Sequence, residues 1–191
     1  AVAPTLFSEF HGSEPEVAHQ VKVVREIAAS HGGQDFAWAH RPEDRSRLWQ
    51  ARHDIWWANK GLRPGAEGLP TDVCVPISEL ADQIEAAQQD VRAEGLIAPI
   101  CGHVGDGNFH LCFMVDPSDA AEIARVKAAY ARMIRRALAV GGTCTGEHGI
   151  GHGKVEFLRE EAGGGFRVMQ ALRAALDPLG ILNPGKVTGF F

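Results

Sequence analysis

The sequence predicts an α+β fold in which helices cover one side of a β-sheet. Short strand-like segments alternate along the chain with amphipathic helical patterns. Two apolar runs, at residues 97–100 and 111–115, flank a Gly-Asp-Gly-Asn turn and therefore indicate a β-hairpin. The chain has 191 residues, of which 45% are hydrophobic, so it can build one domain of ordinary size or two very small ones.

The first part of the chain is predicted to contain two strands and two helices. Strands are expected at residues 5–11, where polar and apolar residues alternate, and at residues 35–40. Ser13 begins a Ser-x-x-Glu capping box, which predicts the start of an amphipathic helix that ends at a Gly-Gly pair. A second helix is predicted at residues 42–60, followed by a Gly- and Pro-rich loop at residues 61–70.

The second part is predicted to contain a short strand at residues 72–76, the hairpin and four helices. Ser78 is the expected N-cap of a helix that precedes the hairpin. Asp119 opens a long amphipathic helix, which a Gly-Gly pair ends at Gly142. Two shorter helices follow, and residues 182–186 (Leu-Asn-Pro-Gly-Lys) form a terminal turn.

The hairpin carries the first candidate site. If Asp106 and Gly107 form a two-residue turn, His103 and His110 lie opposite each other. Side chains in opposed positions are about 4.5–5.5 Å apart at Cβ, which is close enough for two imidazoles to share one metal ion. A shift of the register by one residue would place the two rings on opposite faces.

The glycine-rich stretch at residues 142–151 supplies further candidates. Glu147 is a third ligand, because two histidines and one carboxylate leave coordination positions open, as in catalytic metal sites. His148 is a candidate general base, because a neutral imidazole accepts a proton near pH 7. Arg52 is a candidate clamp for a substrate carboxylate. Taken singly, each of these residues also fits a hydrogen-bonded histidine, a solvated carboxylate or an exposed helix arginine.

Composition excludes several classes of function. The net charge of −5 and the absence of a dense Lys/Arg cluster argue against nucleic-acid binding. No apolar run approaches the roughly 18 residues of a membrane span, and no dinucleotide or P-loop motif is present. The four scattered cysteines indicate reduced, mostly buried thiols and a cytoplasmic protein. The chain lacks an initial Met and enters a strand-like segment at once, so we expect it to be part of a longer chain.

Four separated motifs resemble one known family. They are Thr-Asp-Val-Cys-Val-Pro at residues 71–76, the histidine hairpin at 102–110, the glycine-rich stretch at 142–151, and Asn-Pro-Gly-Lys-Val at 183–187. In this order they resemble the C-terminal part of FAD-linked 2-hydroxyacid dehydrogenases. Within that family the chain is most similar to cytochrome-type D-lactate dehydrogenases, with glycolate oxidase and D-2-hydroxyglutarate dehydrogenase as more distant relatives.

The resemblance implies that residues 1–191 are a substrate-binding cap domain with a ferredoxin-like sheet and a C-terminal helical segment, without the N-terminal domain that binds FAD. It implies FAD and a divalent metal, Zn or Mn, as cofactors. It also implies a role for each site residue: His103, His110 and Glu147 as metal ligands, His148 as the base, Arg52 at the substrate carboxylate, and Asn183 and Lys186 near the flavin.

The implied reaction is oxidation of a D-2-hydroxy acid, with D-lactate favoured, to the 2-oxo acid by hydride transfer to the flavin. Cys112 stands where the hydroxyglutarate relatives have asparagine, which disfavours a substrate with a second carboxylate. The expected partners are the N-terminal FAD domain, an electron acceptor such as cytochrome c or quinone, and a second copy in a homodimer. The isolated chain should be inactive. A peripheral inner-membrane location is the alternative to a purely cytoplasmic one.

Two functions from other classes are the alternatives. The chain could be a free-standing metallohydrolase that uses a His₂Glu site, or a metal- or ligand-binding module without catalysis. An FAD-binding domain upstream of this chain would favour the dehydrogenase over both.

Overall fold

A computed structural model describes residues 4–189. The chain divides into two compact units, Ala1–His53 and Asp54–Phe191. The first unit contains helices α1 (Glu14–Ser30) and α2 (Pro42–His53). The capping box predicted at the start of α1 is confirmed, because the backbone N–H and the hydroxyl of Ser13 both donate to the Glu16 carboxylate at 2.7 Å.

Both strands predicted in the first unit are wrong. Residues 5–11 and 35–40 have irregular backbone. Asp35 has a φ of 54°, in the left-handed region, so the second segment is not extended at its first residue. In the first segment Phe7 stacks on the ring of Trp49, with centroids 6.3 Å apart. The alternating polarity of this segment is therefore not accompanied by pairing with another strand.

The second unit contains the sheet and five helices. Between Pro76 and Leu80 the chain forms a 3₁₀ turn, so Ser78 does not cap the following helix as predicted. The elements, in chain order, are α3 (Ile55–Gly61), β1 (Glu67–Pro70), β2 (Val73–Cys74), α4 (Leu80–Ala93), β3 (Ile100–Cys101), β4 (Asn108–Val115), α5 (Ala120–Ala139), α6 (Val155–Ala162) and α7 (Gly164–Leu176).

Two predictions near the start of this unit need correction. The helix expected at residues 42–60 is two helices, with a turn at Asp54 between α2 and α3. The loop expected at residues 61–70 ends in strand β1. Pro70 is tolerated there because β1 is an edge strand. A Cβ at Gly68 would lie 2.6 Å from the Trp56 ring, so a larger residue there requires this ring to shift.

The sheet is antiparallel and is organised around β4. Strands β1 and β2 pair with one edge of β4 in a single register, from Glu67 opposite Val115 to Cys74 opposite Asn108. Strand β3 pairs with the other edge, where Cys101 lies opposite His110. The N-terminus of α5 is capped by the Asp119 carboxylate, as predicted. The predicted α+β class, with an antiparallel sheet and a C-terminal helical segment, is confirmed.

The two faces of β4 have different environments. One face packs into the main core with apolar residues of α4 and α5, and it presents Phe109, Leu111, Phe113 and Val115. The opposite face presents Asn108, His110, Cys112 and Met114. Every residue of the strand is buried. The face that carries His110 lies outside the main apolar core and presents the polar side chains of the strand.

The predicted hairpin register is wrong. Cys101, not His103, lies opposite His110, and a 3₁₀ turn at Val104–Asp106 extends the loop between the strands. Gly107 closes this loop with a φ of 76°. Its carbonyl accepts the Val75 N–H at 2.9 Å, and a Cβ on Gly107 would collide with the Val75 carbonyl. The loop conformation is thus set by contact with the segment after β2, which the local turn sequence does not encode.

Candidate active site

His110 is buried on β4, and its ring orientation is determined by one backbone group. Its Nδ1 lies 2.8 Å from the carbonyl oxygen of Thr71. A carbonyl can only accept a hydrogen bond, so Nδ1 carries a proton and Nε2 is the ring nitrogen that faces Glu147. The Thr71 carbonyl is available because the Thr71 hydroxyl, at 2.8 Å, accepts the Leu111 N–H instead.

Glu147 brings the histidines together. Its Oε1 lies 3.0 Å from His110 Nε2, 3.4 Å from His103 Nε2 and 3.7 Å from His148 Nε2. One ligand atom each from His103, His110 and Glu147 lies within 4.8 Å of the other two. The three predicted ligands are therefore adjacent, although the predicted strand pairing is absent. The 3₁₀ turn instead places the His103 ring edge-on to His110, with centroids 6.4 Å apart.

The donor set fits a divalent metal ion. A neutral His110 has a lone pair at Nε2, as Glu147 has at Oε1, and at 3.0 Å the two repel unless a proton or a cation lies between them. Two donors bound to zinc at about 2.0–2.2 Å are about 3.0–3.5 Å apart at ordinary coordination angles. The separations from Glu147 to the two histidines, 3.0 and 3.4 Å, lie in that range.

His148 lies beside this ligand set. Its ring stacks on His110 with centroids 4.8 Å apart and an interplanar angle of 9°. The side chain is about half exposed. The stacking orients the imidazole, while the exposure leaves it accessible to a small molecule that enters beside Glu147. This combination suits a proton acceptor.

Asp72 holds the turn that carries Glu147 and His148. It is fully buried and follows Thr71 in the interruption between β1 and β2. Its carboxylate accepts three successive backbone N–H groups, from Gly146 at 2.9 Å, Glu147 at 3.2 Å and His148 at 3.0 Å. The loop backbone around the two predicted functional side chains is therefore fixed by one carboxylate.

Three side chains complete the surroundings of Asp72. Its carboxylate accepts the Thr145 hydroxyl at 2.6 Å, the Asn108 amide at 2.8 Å and the Lys154 ammonium group at 3.2 Å. Burial alone would raise the pKa of Asp72. The hydrogen bonds from Thr145, the His148 N–H and Asn108, together with the Lys154 charge, outweigh burial and hold this pKa well below its usual range. Asp72 is thus an anion at any physiological pH.

Sequence reasoning missed Asp72, Asn108 and Lys154 as contributors to the site. One signal was available, because Asp72 precedes an apolar strand segment and a buried carboxylate requires donors. The close approach of residue 146 to Asp72 requires a glycine, since a Cβ there would collide with the Asn108 amide and lie 3.1 Å from Asp72 Oδ1. The donors come from positions up to 82 residues away, which local patterns do not reveal.

The remaining predicted site residues lie on other elements of the chain. Arg52 is on α2 in the first unit, where its guanidinium lies over the Trp49 ring at 5.8 Å. Asn183 and Lys186 lie on the C-terminal turn, where the Lys186 ammonium group donates to the Asn183 side chain at 3.1 Å. Arg173 of α7 supports this turn by donating to the carbonyls of Leu182, Asn183 and Lys186.

The C-terminal turn is attached to the segment that follows His148. The Val187 N–H donates to the Gly151 carbonyl at 2.9 Å, and His152 Nδ1 lies 3.1 Å from the Gly185 carbonyl. The residues predicted to approach the flavin are therefore connected by hydrogen bonds to the loop that carries the candidate base. Their contact with a flavin stays a prediction.

The structure buries two of the four cysteines, whereas the sequence predicted that most of them are buried. All four are free thiols, and Cys112 and Cys144 are buried. Burial raises the pKa of Cys112, and it raises the pKa of Cys144 to about 12. The two buried thiols are therefore protonated and poor nucleophiles at neutral pH. Between residues 4 and 189, the structure has no helix with the length and apolar character needed to cross a membrane.

Comparison with known proteins identifies relatives over nearly the whole chain. Residues 1–187 match the family of FAD-linked oxidases, C-terminal domain. The chain is 54% identical over 188 residues to the probable D-lactate dehydrogenase, mitochondrial, of Danio rerio, which covers 98% of this chain and 38% of that protein. It is 41% identical over 186 residues to the D-lactate dehydrogenase [cytochrome], mitochondrial, of Arabidopsis thaliana, covering 97% of this chain and 33% of the relative.

A bacterial relative and a solved structure extend the comparison. Glycolate oxidase subunit GlcD of Bacillus subtilis is 35% identical over 185 residues, covering 95% of this chain and 38% of that protein. The structure of 4-ethylphenol oxidase from Gulosibacter chungangensis, solved as an isoeugenol complex, shares the fold. Its TM-score is 0.65 at 20% identity, over 95% of this chain and 38% of that one.

These comparisons correct one prediction. Relatives in zebrafish, Arabidopsis and two yeasts are named as mitochondrial proteins, so the predicted cytoplasmic location is wrong. Reduced thiols were a poor guide because they indicate a redox environment rather than a particular compartment. The chain spans 33–38% of the length of the relatives described above. With its four motifs in order and a family match over residues 1–187, the chain belongs to the FAD-linked oxidases and corresponds to their C-terminal domain.

Proposed function

We propose that this chain is the substrate- and metal-binding half of an FAD-dependent dehydrogenase that oxidises a D-2-hydroxy acid, with D-lactate the favoured substrate, to the 2-oxo acid. The observation that carries the proposal is the convergence of His103, His110 and His148 on one oxygen of Glu147, at 3.0 to 3.7 Å. The names of the zebrafish and Arabidopsis relatives support D-lactate as the substrate.

The metal and the flavin would have separate tasks. His103, His110 and Glu147 would hold Zn or Mn, whose charge favours the ionised form of a substrate hydroxyl beside it. FAD, bound mainly by a domain outside this chain, supplies the hydride acceptor for the substrate α-carbon. The described residues contribute orientation, charge and proton transfer.

His148 takes the hydroxyl proton in this proposal. Its Nε2 lies 3.7 Å from Glu147 Oε1, so a hydroxyl held beside the ligand set comes within reach of this nitrogen. The stacking on His110 keeps the ring in place while the proton moves. Glu147 is a poorer base once it binds a cation, because the cation stabilises its ionised form.

The other assignments complete the proposal. Arg52 would bind the substrate carboxylate through two parallel hydrogen bonds. Asn183 and Lys186 would contact the flavin. Cys112, two positions after His110 on the same strand face, is buried and offers no charge to a second substrate carboxylate. A cytochrome or a quinone would then accept the electrons, and the names of the cytochrome-type relatives support the cytochrome. A homodimer is the expected assembly.

The two alternatives are not favoured. A free-standing metallohydrolase and a non-catalytic binding module would both use the His₂Glu cluster. Neither accounts for a match to FAD-linked oxidases over residues 1–187.

Flavin reduction tests the proposed function. The complete FAD-loaded protein that carries this chain would be mixed anaerobically with D-lactate while flavin absorbance is followed. We expect rapid bleaching with D-lactate and slow or no bleaching with L-lactate. Treatment with a chelator should abolish the bleaching, and Zn²⁺ or Mn²⁺ should restore it. Failure of the metal- and FAD-loaded protein to react with any D-2-hydroxy acid would overturn the proposal.

A further inference from the structure

We propose that Asp72 is a positioning residue that assembles the active site from two separate parts of the chain. Its carboxylate fixes the turn that carries Glu147 and His148, and it stands opposite His110 in the sheet. The expected effect on metal affinity rests on the function proposed above. The geometry of the turn stands independently of it.

The turn depends on Asp72 for its backbone hydrogen bonds. The N–H groups of Gly146, Glu147 and His148 point to the same carboxylate, at 2.9 to 3.2 Å. Successive N–H groups converge in this way only when the backbone curls around an anion. The directions in which the Glu147 and His148 side chains leave the backbone follow from that curl. A change at Asp72 should therefore move both side chains together.

The same residue borders the contact that orients His110. In the register of β2 and β4, residue 72 lies opposite residue 110. Thr71, the neighbour of Asp72, accepts from His110 Nδ1 at 2.8 Å, and Asp72 Oδ1 lies 3.6 Å from this nitrogen. The interruption between β1 and β2 thus orients two proposed metal ligands. Thr71 orients His110 on β4, and Asp72 orients Glu147 on the turn.

Buried partners keep Asp72 in place. Lys154 donates to its carboxylate and to its backbone carbonyl, both at 3.2 Å. The Asn108 amide donates to the carboxylate at 2.8 Å and to the Val73 carbonyl at 2.9 Å. Asp72, Lys154 and Asn108 are all buried. Because donors already surround both oxygens, Asp72 is suited to hold the ligand set rather than to join it.

The test is Asp72→Asn in this chain, measured by calorimetric titration with Zn²⁺ and by amide hydrogen exchange. Asparagine has one acceptor oxygen in place of two and directs an NH₂ group at existing donors. We expect a 10–100-fold loss of Zn²⁺ affinity, the usual effect of losing a residue that orients metal ligands. Exchange at the amides of residues 146–148 should become at least about tenfold faster.

Glu122→Gln is the matched control. The Glu122 carboxylate is also buried, and it accepts the Arg63 guanidinium and the Asp116 N–H, each at 2.7 Å. This variant removes the charge of another buried carboxylate, and weakens its two hydrogen bonds, away from the ligand set. It should leave Zn²⁺ affinity and the exchange at residues 146–148 unchanged. An equal loss in both variants would show general destabilisation and overturn the inference.

A double variant separates positioning from charge pairing. Asp72→Asn leaves the Lys154 ammonium group buried without its anion, and adding Lys154→Met removes that charge. We expect the double variant to regain thermal stability but neither Zn²⁺ affinity nor slow exchange. Recovery of all three would mean that Asp72 only neutralises Lys154, which would overturn the inference.

A milder variant covers the case in which Asp72→Asn does not fold. Thr145→Val removes the hydroxyl that donates to Asp72 at 2.6 Å. Exchange at residues 146–148 should then accelerate severalfold, and unchanged exchange would overturn the inference. If the unmodified chain binds no Zn²⁺, the metal part of the proposed function fails, while the exchange measurement still decides the role of Asp72.

Discussion

Two carboxylates of the candidate site, Asp72 and Glu147, have opposite surroundings. Asp72 is 0% exposed and is surrounded by N–H and O–H donors. The Glu147 side chain is 46% exposed and faces imidazole rings. A carboxylate that donors already surround holds backbone in place, whereas one that faces ring nitrogens is available to a shared cation. The partners of an acidic residue, rather than its proximity to a motif, therefore indicate its role.

The largest expected effect concerns the imidazole beside Glu147. In the complete FAD-loaded enzyme, His148→Asn should lower kcat by roughly 10²–10⁴-fold, the usual contribution of a positioned base. Metal and flavin content should stay unchanged, because the ligand set is intact. Steady-state kinetics with D-lactate and metal analysis of the same preparation check this. Wild-type turnover in the variant would show that another group accepts the proton.

Neutralising Asp72 should mainly lower stability, whereas neutralising Glu147 should mainly lower metal binding. Asp72→Asn should cost about 3–5 kcal/mol of unfolding free energy, because it leaves a buried cation unpaired. Glu147→Gln should cost no more than about 0.5 kcal/mol, because its side chain is half exposed. Glu147→Gln should nevertheless lose metal. Urea unfolding and metal analysis of both variants measure the contrast, and equal stability losses would erase the distinction between the two carboxylates.

Substitution of the two histidine ligands tests whether Glu147 shares a metal ion with them. A variant with both His103→Ala and His110→Ala should retain helical content and lose bound metal, because two of three donors are gone. Metal content would be measured on protein purified without a chelator or a polyhistidine tag. Stoichiometry equal to that of the unmodified protein would remove the metal assignment.

Arg52 tests a smaller effect in the first unit. Arg52→Lys keeps the charge and loses the two-pronged geometry, a loss of about 1.5–3 kcal/mol for a hydrogen bond to a charged group. The KM for D-lactate should rise, whereas flavin and metal content should stay constant. The measurement is steady-state kinetics on the complete enzyme. An unchanged KM and kcat would leave Arg52 as a helix residue stacked on Trp49.

The smallest expected effect is the pH dependence from Glu122. Hydrogen bonds from the Asp116 N–H and Arg63 lower the pKa of Glu122, despite the opposing effect of burial. A lowered pKa in the folded state gives stability that is present above the unfolded value of about 4.3 and is lost as pH falls through the folded value. Glu122→Gln should cost about 1–2 kcal/mol at pH 7 and less at pH 3, measured by urea unfolding.

Elements with strong local signals were predictable from sequence. The capping box at Ser13 and the Asp119 cap fixed the starts of α1 and α5. Helical periodicity likewise located α4, and the two shorter helices predicted after the glycine-rich stretch are α6 and α7. The strands expected at residues 5–11 and 35–40 failed because alternation of polarity does not supply a pairing partner. The register of the hairpin failed because Gly107 packs against Val75, a contact between segments that local turn chemistry does not include.

The candidate site was partly predictable for a different reason. The ligand types and their glycine-rich context were visible in the sequence. The ligands are adjacent despite the wrong predicted register, because the 3₁₀ turn at Val104–Asp106 directs His103 back to His110. Asp72 was not identified, because its partners Thr145, Gly146 and Lys154 lie more than 70 positions along the chain. The catalytic and binding roles of the individual residues stay predictions.

The two-faced strand β4 has a consequence for how the enzyme can be varied by evolution or in the laboratory. Deleting Asn108 or inserting one residue beside it would exchange the faces of every later side chain in the strand, so that His110 and Phe109 would exchange surroundings. A change of length between Cys101 and Asn108 would instead displace His103, which lies in that loop. Libraries that vary side-chain identity in β4 at constant chain length would therefore explore substrate range while keeping both faces of the strand.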